Sequence, residues 1–139
     1  MTKEADCRFC NLDGQVVKEN EHAVVALSNP RKVPGHVLVL PKRHITEPWQ
    51  LTADELTDVF KLIFFVEQRL LGKLGDGVDI RQNYRPFVAE NELKVDHVHF
   101  HVIPRYKDDY IHTVSEQFEK DLFVGLDDLE RKEVEKLLQ

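Results

Sequence analysis

The sequence has 139 residues, of which 42% are hydrophobic and 32% charged, and its formal net charge at pH 7 is −6. These values are typical of a single globular domain, which we place at residues 1–139. The negative charge argues against general binding to nucleic acid or to a membrane surface. An anionic substrate would therefore have to be held by a local cluster of cations.

The amino-terminal segment contains a pair of cysteines and no targeting signal. Residues 1–6 lack the apolar core of a signal peptide, and no apolar run reaches the roughly 18 residues of a membrane-spanning helix. We therefore expect a cytoplasmic protein. Cys7 and Cys10 form a CxxC, which in a reducing compartment indicates metal or redox chemistry, or two buried thiols, more often than a disulfide. Two thiolates would need two more ligands for a tetrahedral zinc site, and seven histidines are available.

Short apolar runs bounded by turn residues predict five strands, at residues 15–19, 23–27, 36–40, 78–84 and 98–103. A capping box formed by Thr52 and Glu55 begins one long helix, about residues 53–71, and a shorter helix is predicted at 127–138. The long helix is apolar on more than one face, which fits either a subunit interface or a deeply buried helix. The order of elements favours an α+β fold with an antiparallel sheet. Trp49 is expected to pack against the protein, although stacking against a base is an alternative.

The run His97-Val98-His99-Phe100-His101 alternates imidazole and apolar side chains. Because successive side chains of a strand point to opposite faces, the three imidazoles are predicted to share one face, about 6–7 Å from one to the next. A neutral imidazole can attack phosphorus, carry a proton or bind a metal. The middle residue, His99, has both neighbours within reach and is predicted to be the nucleophile. Zinc bound to these three histidines is the competing hypothesis.

Three stretches of the chain carry a resemblance to the histidine triad (HIT) superfamily. The family signature is resembled by HVHFHVIPR at 97–105. A second family stretch, PGHxLVxPKxH, is resembled by PGHVLVLPKRH at 34–44. The CxFC start of zinc-containing members is resembled by CRFC at 7–10. The resemblance implies a five-stranded antiparallel sheet with one long and one C-terminal helix, and a homodimer. It places the core at about residues 7–106 and a tail at 107–139.

The resemblance also implies an enzyme, similar to dinucleoside polyphosphate hydrolases, that acts at the α-phosphate of a nucleotide. The substrate would be a dinucleoside polyphosphate such as diadenosine tetraphosphate, or a nucleoside phosphoramidate. By motif position, His99 would form a nucleotidyl-histidine intermediate, His101 would contact phosphate and His36 would support the ring network. The metal ligands would be Cys7, Cys10, His44 and His97. Four protein ligands close a zinc site, so zinc would have a structural role.

The predicted substrate contacts depart from the family pattern. Ser28 stands where relatives place an Asp or Asn that binds the ribose, with Asn29 beside it, and Asn83 matches an asparagine near the phosphate. Residues 92–94, Glu-Leu-Lys, replace a Gly-Gln-Ser/Thr segment; Lys94 could supply charge in place of the lost hydrogen bond. Arg105 could add a phosphate contact. The alternatives are nucleotidyl transfer to phosphate or a sugar phosphate, and a non-catalytic nucleotide-binding protein.

Overall fold

The computed structural model describes residues 4–139. Residues 1–3, on which the predicted absence of a signal peptide partly rests, lie outside that range. The described residues form two compact units, one ending at Tyr106 and the other spanning Lys107–Gln139. Within the described range, no helix combines the length and apolar character needed to cross a membrane. The assignment of the whole chain to one domain stays a prediction.

The first unit is built on one five-stranded sheet. Its strands are β1 Val16–Glu19, β2 Ala23–Leu27, β3 Val37–Pro41, β4 Gly77–Arg81 and β5 Phe100–Arg105. Their spatial order is β1-β2-β3-β5-β4, and every neighbouring pair is antiparallel. The predicted α+β fold with a five-stranded antiparallel sheet is confirmed.

The central strand β3 is buried along its whole length. Val37 and Val39 pack on one face of the sheet, and Leu38 and Leu40 pack on the other. This alternation follows from the two-residue period of a strand. The face with Val37 and Val39 is covered by the long helix α1, Ala53–Leu70, through its buried apolar side chains Val59, Leu62, Ile63 and Val66. The opposite face is therefore the one left for a functional site.

Helix α1 begins at the predicted capping box. The Thr52 hydroxyl accepts a hydrogen bond from the Glu55 amide at 3.1 Å, and the Thr52 amide donates to the Glu55 carboxylate at 3.0 Å. These two bonds satisfy amide donors that the first turn of a helix leaves without partners. On the side away from the sheet, Leu56 is 46% and Phe64 55% exposed. The apolar pattern of α1 therefore extends beyond the surface that contacts the sheet.

The carboxylate of Glu55 is buried and paired with Arg43, whose guanidinium donates to both carboxylate oxygens, at 2.8 and 3.0 Å. The hydrogen bond from Arg43 holds the pKa of Glu55 at about 2, below its ordinary value of 4.5. Because this pKa is depressed, the stabilisation is fully present above about pH 4.5 and is lost as the pH falls toward 2.

We expect Arg43→Ala to lower the free energy of unfolding by about 2–3 kcal/mol at pH 7, because it leaves a buried carboxylate without its cation. Urea denaturation measures this. Lys42→Ala is the matched control, since the Lys42–Glu19 pair is 3.6 Å apart with Glu19 largely exposed, and its loss should cost less than about 1 kcal/mol. Equal losses in the two variants would contradict the importance of the Arg43–Glu55 pair.

Several element ends differ from the predicted ones. Strand β5 begins at Phe100, two residues later than predicted, because the Val98 amide donates to the Ile45 carbonyl at 2.8 Å, outside the sheet. Strand β4 ends at Arg81 and not at residue 84.

The entry to β3 depends on Gly35, which has φ +88°. A β-carbon there would lie 2.9 Å from Leu74 Cδ1 and 3.0 Å from Pro104 Cγ, so the position requires glycine. His36 follows directly and is thereby fixed at the start of the strand.

The second unit contains short helical turns at His112–Glu116 and Glu119–Leu122, followed by the helix α2, Asp128–Leu137. The Asp127 carboxylate caps α2 by accepting from the Glu130 amide at 2.9 Å. This agrees with the predicted C-terminal helix at 127–138.

Candidate active site and metal centre

The three histidines of the HxHxH run lie on the face of the sheet opposite helix α1. Val98 and Phe100 are buried in the cluster that contains α1, which directs the intervening imidazoles to the other side. The rings of His99 and His101 are 4.9 Å apart, and Phe9 lies edge-on to His99 at 4.8 Å. The alternation predicted from the sequence is therefore observed, although only His101 of the three lies inside β5.

A main-chain carbonyl determines which nitrogen of His99 carries the proton. Nδ1 of His99 lies 2.7 Å from the carbonyl oxygen of His97. Because a carbonyl oxygen only accepts hydrogen bonds, Nδ1 must be the protonated nitrogen of the ring. Burial lowers the pKa of His99, so the ring is neutral near pH 7. The remaining nitrogen, Nε2, consequently carries a free lone pair, which is the requirement for a nucleophile.

A chain of two hydrogen bonds fixes the tautomers of His36 and His101 in the same way. The Lys32 amide donates to Nδ1 of His36 at 3.0 Å, so His36 carries its proton on Nε2. That Nε2 lies 2.9 Å from Nδ1 of His101 and donates to it. His101 therefore carries its own proton on Nε2, where it can form a hydrogen bond to a phosphate oxygen.

Both members of this pair are neutral. Burial, with Lys32 nearby, lowers the pKa of His36 to about 4. Burial, together with His99 and His36, lowers the pKa of His101 to about 3. Each ring would therefore remain a single donor and single acceptor throughout the neutral range, as the chain of hydrogen bonds requires.

Two cysteines and two histidines meet beside this row of imidazoles. The ligand atoms of Cys7, Cys10, His44 and His97 all lie within 4.8 Å of one another, an arrangement that could hold a metal ion. The cysteine sulfurs of Cys7 and Cys10 are 3.5 and 3.6 Å from Nδ1 of His97, and Cys10 is 3.4 Å from Nδ1 of His44. Within the described residues, these are the four that the resemblance implied as ligands.

The tautomer of His97 suits metal binding. Its Nε2 lies 2.9 Å from the Pro41 carbonyl and must donate to it, which leaves Nδ1 unprotonated and facing both sulfurs. Such a bond from the second nitrogen to a carbonyl is the usual way in which proteins orient a histidine ligand.

Two cavities adjoin His99. The first, of about 320 Å³, is called the Ser28 cavity here; its lining includes Phe9, Leu27, Ser28, Asn29, Lys32 and Leu93, with His36 and His101 at its floor. The second, of about 410 Å³, is called the Tyr84 cavity; its lining includes Glu47, Asn83, Tyr84, Arg85, Lys94 and Asp96. The first is mainly apolar and the second mainly polar.

The structure brings most of the predicted site residues together. Ser28 and Asn29 line one cavity at His99, and Asn83 and Lys94 line the other. The Lys94 ammonium forms an ion pair with Asp96. Arg105 is placed apart from them: it is paired with Asp79 at 2.6 Å and is not among the residues that line these two cavities.

Phe9 and Arg8 were missed by the sequence analysis. Phe9 lines the Ser28 cavity and contacts the ring of His99, and Arg8 donates to the Glu92 and Asn91 carbonyls at 2.6 and 3.1 Å. Both residues lie between the two cysteines. The CxxC spacing was the available signal. If both cysteines join a cluster with the histidines, the two residues between them must also lie close to those histidines.

Comparison with known proteins gives a consistent result. The family model described as HIT domain matches residues 10–108. An uncharacterized HIT-like protein of Methanocaldococcus jannaschii is 38% identical over 110 residues, which are 74% of this chain and 81% of that protein. A solved structure of a HIT family member from Bacillus subtilis superposes with a TM-score of 0.70 at 21% identity, covering 96% of this chain and 94% of that one.

Two similar proteins have named activities. A bis(5'-nucleosyl)-tetraphosphatase (asymmetrical) of Schizosaccharomyces pombe is 38% identical over 87 residues, which are 56% of this chain and 42% of that protein. An adenosine 5'-monophosphoramidase of the same organism is 30% identical over 112 residues, which are 75% of this chain and 77% of that protein. Both names describe enzymes that act on nucleotides.

Proposed function

The chain belongs to the HIT domain family, and from this membership we propose that it is a hydrolase that cleaves a nucleotide at its α-phosphate through a covalent nucleotidyl intermediate on His99. The observation that carries the proposal is the 2.7 Å contact between Nδ1 of His99 and the His97 carbonyl. It leaves the lone pair of Nε2 available for attack in the row of imidazoles.

The reaction has two displacements. Nε2 of His99 attacks the α-phosphorus, and the bond from phosphorus to the leaving atom breaks with its electron pair going to that atom. A water molecule then attacks the phosphorus, the P–N bond breaks, and its electrons return to Nε2 as the nucleoside monophosphate leaves. The water proton is released to solvent. His101, protonated at Nε2, donates a hydrogen bond to a phosphate oxygen in both steps, and a leaving nitrogen takes its proton from solvent.

The Ser28 cavity suits the nucleoside of the group that becomes attached to His99. Phe9, Leu27 and Leu93 supply apolar surface for a base. Ser28 and Asn29 supply polar groups for a ribose, in the positions where the sequence predicts them. The Tyr84 cavity, on the other side of His99, suits the leaving group, with Asn83 and Lys94 as polar contacts.

We infer that the Cys7–Cys10–His44–His97 cluster binds zinc. Sulfur and nitrogen ligands at tetrahedral angles around zinc lie about 3.6 Å apart; three sulfur–nitrogen distances here are 3.4, 3.5 and 3.6 Å, and all four ligand atoms lie within 4.8 Å of one another. Burial raises the pKa of the Cys7 thiol to about 11, so a thiolate at this position needs an adjacent cation. Four protein ligands would leave no position for water, which favours a structural role. A homodimer and a cytoplasmic location stay predictions.

A second candidate reaction is cleavage of a nucleoside phosphoramidate, which the similarity to the monophosphoramidase favours. Transfer of the nucleotidyl group to inorganic phosphate or a sugar phosphate follows the same first step. The replacement of the Gly-Gln-Ser segment by Glu92, Leu93 and Lys94 instead favours a protein that binds nucleotide without turnover.

One experiment separates these candidates. The protein is incubated with diadenosine tetraphosphate or adenosine 5'-phosphoramidate and quenched rapidly in denaturant at alkaline pH, where phosphoramidate bonds persist. We expect a peptide containing His99 to gain the mass of one adenylyl group. Products formed with and without added phosphate distinguish hydrolysis from transfer. Turnover without any adduct would contradict the covalent step, and tight binding of AMP with no turnover of either substrate would contradict an enzyme.

A further inference from the structure

Trp49 is exposed beside the Tyr84 cavity, contrary to the packing expected from the sequence. It is 68% exposed, and its ring lies edge-on to Tyr84 with the centroids 5.1 Å apart. Tyr84, itself 41% exposed, lines the cavity that adjoins His99. What distinguishes this pair from other exposed aromatic residues is its place at a polar cavity that adjoins His99, where a planar ligand could contact the rings.

Cations lie along the path from one cavity to the other. Lys32 lines the Ser28 cavity and Arg85 lines the Tyr84 cavity. Arg81 pairs in register with His101 between β4 and β5, and its guanidinium also bonds Asp79 at 3.2 Å. Burial and the charges of Arg81 and Arg85 lower the pKa of Lys32, which places Lys32 within electrostatic range of both. Asp79 offsets part of this positive charge, and the rest favours an anionic ligand.

The cations and the aromatic pair, together with the Ser28 cavity, suit a ligand with three parts. An apolar cavity accepts one nucleoside, a row of cations follows the line of His99 and His101, and an exposed aromatic pair stands at the far end. A phosphoramidate with a small amine would reach neither Arg85 nor the aromatic pair. A chain of several phosphates ending in a second nucleoside would occupy all three parts.

We propose that Trp49 and Tyr84 form a subsite for the nucleobase of the leaving group when the substrate is a dinucleoside polyphosphate, with its phosphate chain along Lys32, Arg81 and Arg85. This inference rests on the proposed function and assigns residues to the leaving-group side of that site. The distal base stacks against the aromatic pair, and the leaving group is a nucleoside polyphosphate. Stacking on an aromatic ring is tolerant of base identity, so the subsite selects for the presence of a base.

The protein contains a reporter for this contact, because Trp49 is the one tryptophan in the sequence. The His99→Ala variant, which is expected to bind substrate without cleaving it, is titrated with diadenosine tetraphosphate or adenosine 5'-tetraphosphate. These ligands carry the same phosphates and differ in the second nucleoside. We expect tryptophan emission to fall at least about twofold with the dinucleotide and to change little with the mononucleotide. Equal quenching, or none with a dinucleotide that calorimetry shows to be bound, would overturn the subsite.

Kinetics provide the second measurement. In Trp49→Leu and Tyr84→Leu, the ratio of kcat/KM for diadenosine tetraphosphate to that for adenosine 5'-tetraphosphate should fall at least about fivefold relative to the unmodified protein. Phe64→Leu is the matched control, since Phe64 is a half-exposed aromatic residue on α1 and should leave the ratio unaltered. An unaltered ratio in both subsite variants would contradict the proposal.

Failure of the subsite and failure of the proposed function give different results. If the subsite is wrong, the unmodified protein still turns over both nucleotides, and the Trp49 and Tyr84 variants retain its substrate ratio. If the proposed function is wrong, the unmodified protein turns over neither nucleotide nor adenosine 5'-phosphoramidate; turnover of the phosphoramidate alone would overturn the subsite and leave the proposed function standing.

Discussion

Replacing His99 by alanine should lower turnover of the proposed nucleotide substrates by at least about 10⁴-fold, because it removes the atom that forms the P–N bond. His101 and His36 would remain, but in each ring Nδ1 accepts a hydrogen bond in the chain that starts at the Lys32 amide, and Nε2 carries the proton. Neither ring therefore substitutes for the free Nε2 of His99. Steady-state and single-turnover rates measure the effect.

The His99→Ala protein should still fold and bind nucleotide. The imidazole of His99 is half-buried, its Nδ1 bonds the His97 carbonyl, and its ring contacts Phe9, so its loss disturbs little of the sheet. Urea denaturation and calorimetric binding check these two points. His112→Ala is the control, since His112 lies in the second unit and has no proposed role. Substantial activity in His99→Ala, with the control also active, would exclude His99 as the nucleophile.

Loss of the metal cluster should have the largest effect on stability. Cys10→Ser removes a buried ligand that lies 3.4 and 3.6 Å from two histidine nitrogens, and we expect the bound zinc to fall from about one ion per chain to nearly none. The free energy of unfolding should fall by at least about 3 kcal/mol, since binding free energy at such a site contributes directly to folding. Metal analysis and urea denaturation provide the two measurements.

The same change should reduce activity indirectly. The residues between the cysteines hold Phe9 against His99, and Arg8 holds the segment at Asn91 and Glu92, so loss of the metal would loosen the Ser28 cavity. His22→Gln is the control, because His22 pairs with Asp58 away from the cluster and should leave the zinc content unchanged. Zinc retained in both Cys7→Ser and Cys10→Ser would exclude this cluster and would favour a metal on the HxHxH run itself.

Local patterns in the sequence predicted most of the fold. The alternation in residues 36–40, the capping box at Thr52 and the run at 97–101 each depend on neighbours within a few positions, and each was observed. The end of β4 and the beginning of β5 were misplaced, since they depend on distant contacts such as the bond from the Val98 amide to the Ile45 carbonyl. The periodicity of one segment cannot show a hydrogen-bond partner that lies about fifty residues away in the sequence.

The candidate site was predictable to the extent that its residues lie in motifs. The four possible metal ligands were identified from the resemblance and do meet in the structure. The tautomers were not predictable, because they depend on which carbonyl or amide faces each ring. The exposure of Trp49 was also beyond the sequence, since a Pro-Trp pair in a loop fits a packed ring as well as an open one. Arg105 has the right charge to bind phosphate, but its guanidinium already forms an ion pair with Asp79.

Main-chain atoms, and not side chains, decide where each proton of the four central imidazoles resides: the Lys32 amide for His36 and through it His101, the His97 carbonyl for His99, and the Pro41 carbonyl for His97. The tautomers of His36 and His101 therefore do not depend on which side chain stands at position 32, with one exception, although the charge of Lys32 does lower the pKa of both rings. Proline has no amide hydrogen and would let both rings downstream reverse. At position 41 the opposite holds, because proline keeps the carbonyl that matters. Substitutions near these histidines should therefore leave their tautomers unchanged as long as the backbone conformation is kept.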